Sequence, residues 1–172
     1  MKMKALIVLI ILACFTFLTL ATVPSANAAT IASLEPKVGE VGQMVKFVGS
    51  VTCGSNYKIY WDSVKEEDLV AEGHATACAY ATNQFRVPET FKGRHRVILV
   101  DLETDEEASY DFTVVPMIKT SVDKGPVETV AIINGSGFAA LESDIKVIYE
   151  GIAVQDSINS DVKGSWKTTI KI

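Results

Sequence analysis

A stretch that begins with glycine and ends in Gly-Ser occurs twice in this chain. The first copy runs from Gly39 to Ser50 and the second from Gly125 to Ser136, so that corresponding residues lie 86 positions apart. Each copy contains a glycine turn and then apolar residues that alternate with other residues. Alternation with a period of two is the pattern of a half-buried β-strand. Its recurrence at the spacing of a small domain indicates a duplicated β-module.

Short alternating runs separated by turn residues dominate the chain up to Val115. Val45 and Phe47 are predicted to share one face of their strand, and His95, Val97 and Leu99 one face of another. About seven runs with turns at this spacing are typical of an immunoglobulin-like sandwich. We therefore predict an all-β protein of tandem immunoglobulin-like β-sandwich modules, the first spanning 29–116. The predicted strands of that module are 31–34, 43–51, 57–61, 69–71, 78–87, 94–100 and 109–115.

The second module, 117–172, repeats the plan up to its last run. Residues 164–172 correspond to the strand that ends at Val87, and nothing after them corresponds to residues 88–115. We therefore expect this module to lack the last two strands of a sandwich. A bare inner face and unpaired strand edges favour self-association or strand addition. The joint at Val115-Pro116-Met117 contains no Gly/Ser-rich linker, so we expect it to be stiff.

The N-terminus has the three parts of a secretory signal in order. Lys2 and Lys4 precede an apolar segment over 5–20, and Ala26-Asn27-Ala28 is a small-x-small site. We predict a signal peptide over 1–28 with cleavage between Ala28 and Ala29. Two alternatives are an uncleaved membrane anchor, because 5–23 approaches the length of a span, and a lipidated Cys14. The protein is expected to be exported, to the extracellular space, the periplasm or the cell surface.

Two cysteines, Cys53 and Cys78, follow this segment. An even pair in an exported protein is most simply a disulfide. The alternative of two free thiols or half of a metal site lacks the short Cys-x-x-Cys spacing and a nearby pair of histidines.

The charge balance bears on partners. The chain has 16 basic and 21 acidic residues, a formal net charge of −5. Nucleic acids bind basic surfaces, so we predict no nucleic-acid partner. A protein or a surface polymer remains as the expected partner.

Catalytic motifs are missing from the sequence. His74 and His95 lie on different predicted strands, without a nucleophile elbow, a zinc-protease helix or a phosphate-binding glycine loop. We therefore predict that the protein is not an enzyme and has no cofactor.

An acidic run from Asp101 to Glu107 has part of the spacing of a calcium loop. Asp101, Glu103 and Asp105 alternate, but Glu106 stands where that loop needs glycine. We interpret the run as a solvated hairpin tip and predict no metal site.

Three further residues allow two interpretations each. Asn134 begins a glycosylation sequon, but the same Asn-Gly pair suits a turn, which we favour. Trp61 and Trp166 could form a sugar-stacking platform, but large aromatics on strands more often pack in sandwich cores.

The glycine turns resemble a known repeat. Residues 36–50 are similar to the opening of IPT/TIG immunoglobulin-like repeats, and the second copy contains the whole Asn134-Gly-Ser-Gly-Phe138 exit. Residues 148–151 and 164–166 look like the third-strand and fifth-strand signatures of that family. Module one departs from it after Ser50, where Val51-Thr-Cys53 replaces Gly-Phe.

The resemblance covers the chain from Ile31 onward and implies a function class. In microbes such repeats are typically spacers or adhesion modules of exported and cell-surface proteins. We therefore expect a non-catalytic extracytoplasmic binding or spacer protein. The alternatives are an accessory N-terminal part of a longer secreted enzyme or surface protein, and a subunit that completes its fold with a partner's strand.

Overall fold

The computed structural model describes residues 28–76 and 80–171. Within these ranges the regular structure is β-strand, apart from one 3-10 turn at Glu66–Asp68. The prediction of an all-β protein is therefore confirmed. The predicted signal up to residue 27, and Cys78, lie outside the described residues.

Residues 30–114 form eight strands in two sheets. One sheet has the order β1-β3-β6, and the other has the order β2-β8-β7-β4-β5. Two facing sheets connected in this way form an immunoglobulin-like sandwich, as predicted. The strands are β1 (Thr30–Glu35), β2 (Val38–Gly39), β3 (Met44–Ser50), β4 (Asn56–Trp61), β5 (Leu69–His74), β6 (Ala81–Arg86), β7 (Gly93–Asp101) and β8 (Glu107–Val114).

The two-residue strand β2 is absent from the sequence prediction. The chain leaves the first sheet at Glu35, passes through Pro36, and pairs Val38 with Thr113 of β8 in parallel. Two residues cannot display a period, so this strand has no sequence signal of its own. Its partner β8 comes about 75 positions later in the chain, and only the folded sandwich brings the two together.

The core of the first module lies between its sheets. Val45 and Phe47 are buried on β3, and Val97 and Leu99 are buried on β7, as their alternation predicted. Trp61 packs against the ring of Phe112 on β8 at a centroid distance of 5.6 Å. Apolar residues at alternate positions of both sheets thus exclude water from the space between them.

The second module repeats part of this plan. Its strands are β9 (Met117–Thr120), β10 (Val130–Ser136), β11 (Ile145–Tyr149), β12 (Ile152–Ile158) and β13 (Trp166–Lys171). They form a sheet of order β13-β10-β9 and a hairpin of β11 and β12. Val45 pairs with Phe85 in the first module, and Ala131 pairs with Ile170 in the second, so the duplication extends to strand register.

Counterparts can be assigned strand by strand. β9, β10 and β13 take the places of β1, β3 and β6, and the hairpin β11-β12 takes the place of β4-β5. Among the residues that the structure describes, no strand takes the places of β2, β7 and β8. β12 is exposed along most of its length and ends at the buried Ile158.

The modules meet directly. β8 ends at Val114 and β9 begins at Met117. Across the joint, the backbone N–H of Lys92 donates a hydrogen bond to the carbonyl of Phe138 at 2.8 Å. The hydroxyl of Ser165 donates to a carboxylate oxygen of Glu89 at 2.7 Å. The connection therefore includes an interface as well as a short link.

Candidate functional site: an open apolar groove

β4 in the first module and its counterpart β11 in the second pair with different numbers of strands. In the first module β4 lies between β7 and β5. In the second, its counterpart β11 pairs with β12 alone within the described ranges. The open edge of β11 is the one that corresponds to the β7 side of β4. Its backbone N–H and C=O groups are free to pair with another strand.

The open edge leaves the inner face of β11 uncovered. β4 ends at Trp61 and β11 ends at Tyr149, and a residue with positive φ follows each of them. Counting back from these ends aligns Tyr149 with Trp61 and Val147 with Ile59. Trp61 is 4% exposed and Ile59 0%, whereas Tyr149 is 43% exposed and Val147 half-buried. The aligned residues occupy the same positions in the fold, but those of the second module are more exposed to solvent.

A groove of about 450 Å³ lies along this face. One wall is β11, and the other is the inner face of the β9-β10-β13 sheet. Its lining is mainly apolar, with Ile118 56% exposed. The lining residues are Ile118, Thr120, Val122, Asp123, Ala131, Ile133, Lys146, Val147, Ile148, Tyr149 and Ile170.

The residues that line this groove and the strand edge beside it offer contacts of the kind used in binding. Lys146 and Asp123 are its charged lining residues, one of each sign. Apolar walls and an open strand edge together offer hydrophobic contact and backbone hydrogen bonds. The sequence predicted a bare inner face and unpaired strand edges in the second module. It did not indicate the opposite wall at Ile118 and Ile133, which depends on how the two sheets face each other.

The described residues include one of the two cysteines of the predicted disulfide. Cys53 lies in the turn between β3 and β4, and its predicted partner Cys78 lies outside the described residues. The backbone N–H of Gly54 donates to the carbonyl of Ala75 at 3.1 Å. The turn at Cys53 is therefore held beside Ala75, which lies three residues before Cys78 in the chain.

The two histidines lie apart. His74 is exposed on β5, where Nδ1 lies 3.0 Å from Oδ1 of Asn56. His95 is buried on β7: Nδ1 lies 2.7 Å from Oδ2 of Asp62, and Nε2 donates to the carbonyl of Phe91 at 2.9 Å. Its ring stacks on Trp61 at a centroid distance of 5.2 Å. Both nitrogens of His95 are thus engaged in holding loops to the sandwich.

The acidic tip divides into buried and exposed parts. Glu103 and Asp105 are exposed, as the interpretation of a solvated tip requires. Asp101 contradicts that interpretation, because it is fully buried and accepts hydrogen bonds from the hydroxyl of Ser55 and the backbone of Thr52. Within residues 28–76 and 80–171, no cluster of three or more His, Cys, Asp or Glu residues could hold a metal ion.

Both tryptophans belong to hydrophobic cores. Trp166 is buried and meets the ring of Phe138 edge-on at a centroid distance of 5.4 Å. Trp61 is buried among the aromatics of the first module. The rings are in different modules and inaccessible, so they form no shared stacking platform.

The turn interpretation of Asn134 is wrong. Asn134 lies within β10, where it pairs with Lys119 on β9 and Lys167 on β13. The turn comes three residues later, at Gly137, which has a φ of 67°. The strand continues through Asn134 because it has a neighbour on each side, and this pairing outweighs the local preference of Asn-Gly for turns.

Comparison with known proteins yields structural neighbours alone. No protein-family model matches this chain, and no curated protein matches it. Salmonella alpha-2-macroglobulin reacted with methylamine is similar at 9% identity and a TM-score of 0.37, over 84% of this chain and 12% of that chain. The native conformation of E. coli alpha-2-macroglobulin is similar at 12% identity and a TM-score of 0.29, over 78% of this chain and 11% of that chain. The chain thus spans a small part of the length of these proteins.

In the part of the chain that the structure describes, no helix is long and apolar enough to cross a bilayer.

Proposed function

We propose that this protein is a non-catalytic, exported binding or spacer protein built from IPT/TIG-type immunoglobulin-like modules. The observation that carries the proposal is the direct joint between the modules. A built Cβ on Gly137 would lie 2.8 Å from the carbonyl oxygen of Val115, so the two modules approach each other closely here. A short link with an interface limits the motion of one module relative to the other, which suits a spacer that presents a binding surface at a distance.

The start of the first module supports export with cleavage after Ala28. The backbone nitrogen of Ala29 donates to a carboxylate oxygen of Glu106 at 3.1 Å. Cleavage between Ala28 and Ala29 would place a terminal ammonium group at this nitrogen, beside an anion. A pair in which both groups are charged is stronger than the hydrogen bond between a neutral amide and the same carboxylate.

The disulfide belongs to the same proposal. The hydrogen bonds between the Cys53 turn and Ala75 favour a bond between Cys53 and Cys78. Disulfides persist in oxidising compartments outside the cytoplasm.

The roles of the histidines support a function without catalysis. His95 is buried with both ring nitrogens engaged by Asp62 and Phe91, which leaves neither to move a substrate proton. His74 is exposed on a strand edge, where its Nδ1 meets the amide oxygen of Asn56. General acid–base catalysis requires a group within reach of the reacting proton.

The test is the location and intact mass of the native protein in its own cells. We expect antibodies to label the protein at the cell surface or elsewhere outside the cytoplasm. Its mass should be that of a chain whose first residue is Ala29, and reduction should raise this mass by two hydrogens. Labelled protein that retains residues 1–28 in the membrane fraction would support the anchored form of the same proposal. An unprocessed cytoplasmic protein, or a hydrolytic activity that a His74→Ala variant loses, would overturn it.

A further inference from the structure

We propose that Asn134 is a site of N-glycosylation, where an oligosaccharide is attached to the side-chain amide of the exported chain. The inference rests on the export that is part of the proposed function, because sequons are modified in exported proteins. It goes beyond that function by assigning a covalent modification to the second module.

The acceptor pattern lies on the outer face of β10. Residues 134–136 read Asn-Gly-Ser, and no other asparagine in the sequence stands two positions before a serine or threonine. Side chains two positions apart in a strand point to the same face. Asn134 is exposed and Ser136 is half-buried, so the strand presents both of the groups that define the sequon on its outer side.

The glycine of the pattern has a structural reason of its own. Gly135 is buried on the inner face of β10, and a Cβ built on it would overlap the ring of Trp166. A glycine within a strand is typical of a place where another group approaches the backbone closely. The packing of Trp166 therefore accounts for Gly135, which leaves the asparagine beside it to be explained.

The fold gives no reason for an asparagine at this position. Asparagine is depleted in strands, and within the described residues no hydrogen bond or ion pair involves the side chain of Asn134. The residue 86 positions earlier is Val48, a half-buried residue of β3 and of a type that favours strands. The first module thus has the same Gly-Ser after this position but no sequon. The amide of Asn134 is free at the surface, as the acceptor of a glycan must be.

The surface beside Asn134 can accommodate sugar rings. An open groove of about 430 Å³ adjoins it, and the lining includes Glu89 of the first module and Asp161, Ser165 and Lys167 of the second. Carboxylate, hydroxyl and ammonium groups can exchange hydrogen bonds with sugar hydroxyls. The first sugar rings would therefore lie close to the joint between the modules, where Ser165 is hydrogen-bonded to Glu89.

The donor in this transfer is an oligosaccharide linked through a phosphate to a membrane lipid. A bond forms between Nδ2 of Asn134 and the anomeric carbon of the first sugar. The bond between that carbon and the phosphate oxygen breaks, and the lipid phosphate leaves with the electron pair. Nδ2 loses one proton to a base of the transferase, so the product is a neutral N-linked amide. The transfer requires no oxidant or reductant.

Mass spectrometry of peptides from the native protein, purified from its own cells, tests the assignment. We expect the peptide that contains Asn134 to carry a series of sugar masses, with fragments that place the sugar on this residue. The peptide that contains Val48, from the corresponding strand of the first module, should carry none. The mass expected under the proposed function is then that of the polypeptide after removal of the glycan.

Variants produced in the same cells define the requirement. Asn134→Gln and Ser136→Ala should each lose the sugar completely, because one removes the acceptor and the other removes the hydroxyl that defines the sequon. Ser136→Thr keeps a hydroxyl and should retain the sugar. Asn159→Gln is the matched control: Asn159 is exposed but stands two positions before an aspartate, so its replacement should leave the modification unchanged.

The same peptide map separates the failure of the two proposals. An unmodified Asn134 in a protein whose first residue is Ala29 would overturn the inference and leave the proposed function standing. A sugar that persists in Asn134→Gln, on the hydroxyl of Ser136 for example, would also overturn it. A cytoplasmic protein that retains residues 1–28 and has an unmodified Asn134 would overturn both.

Discussion

Asp101 ends β7 at the hairpin tip of the first module, and its carboxylate is fully buried. The backbone N–H of Thr52 donates to it at 2.6 Å, that of Glu103 at 3.0 Å, and the hydroxyl of Ser55 donates as well. Burial by itself would raise the pKa of Asp101, but these donors outweigh it and hold the pKa below the ordinary value of 3.8. The residue therefore joins the β3–β4 turn to β7 as an anion.

The lowered pKa predicts how stability depends on pH. A carboxyl group with a lower pKa in the folded state stabilises the fold above its unfolded pKa of about 3.9, and this contribution is lost as pH falls through the folded pKa. Asp101→Asn should therefore lower the free energy of unfolding at pH 7 by about 1–3 kcal/mol, because an amide cannot accept all the bonds. Below that folded pKa the difference from the natural protein should shrink. Urea unfolding across this pH range measures it.

Asp111 provides the control for this prediction. It lies on β8 with an exposed side chain, 3.4 Å from Arg94 across the strands. Asp111→Asn should change stability at pH 7 by no more than about 0.5 kcal/mol. Equal losses in the two variants would contradict a special role for Asp101.

The loop between β12 and β13 shows why one glycine is required at the joint. Gly164 has a φ of 73° and is buried. A Cβ there would overlap the carbonyl oxygen of Phe138 and lie 3.0 Å from the Cα of Phe91 in the first module. A positive φ favours glycine at any position, and here the neighbouring backbones add a second restriction.

Gly164→Ala should therefore destabilise the second module by about 2–4 kcal/mol and loosen the joint. Gly151→Ala is the matched control: its φ is 83°, but no atom lies within 4 Å of a built Cβ. Backbone strain alone should make that variant cost about 1 kcal/mol. The midpoint of thermal unfolding compares the two, and equal shifts would show that the contacts of Gly164 with Phe138 and Phe91 contribute nothing.

The two modules bury unequal cores. The first has a continuous cluster of buried residues that includes Phe47, Trp61 and Phe112. The corresponding cluster of the second consists of five buried residues among those described. A small core stabilises a module less, because less apolar surface leaves water. We therefore expect the second module to unfold first.

The predicted disulfide should affect one of these transitions alone. Replacing both cysteines, with Cys53→Ser and Cys78→Ser, should lower the stability of the first module by about 3 kcal/mol. The earlier transition of the second module should stay where it is. Denaturant unfolding followed by hydrogen exchange separates the transitions of the two modules. As a control, a reductant should not change the stability of the double variant. Two thiols that react fully in the unreduced natural protein would contradict the bond.

The amino-acid sequence by itself determined the fold class, most strands and the duplication. Alternation along β3 predicts which face is buried, because side chains of a strand point to opposite sides in turn. Along β7 both faces are buried from Val97 onward, so alternation does not distinguish them there. Comparison of the two copies also aligns residues 164–172 with the strand that ends at Val87. These properties depend on nearby residues or on comparison of the two copies.

The tertiary structure alone decided the remaining features, because they depend on residues that are distant in sequence. β2 exists through its pairing with β8, and Asn134 stays in a strand because β9 and β13 lie on either side of it. Asp101 is buried because the β3–β4 turn folds over it. The groove likewise forms where β11 faces the other sheet of its module. Local patterns report the preference of a segment, whereas neighbours from elsewhere in the chain determine which polar groups are satisfied and which apolar faces are covered.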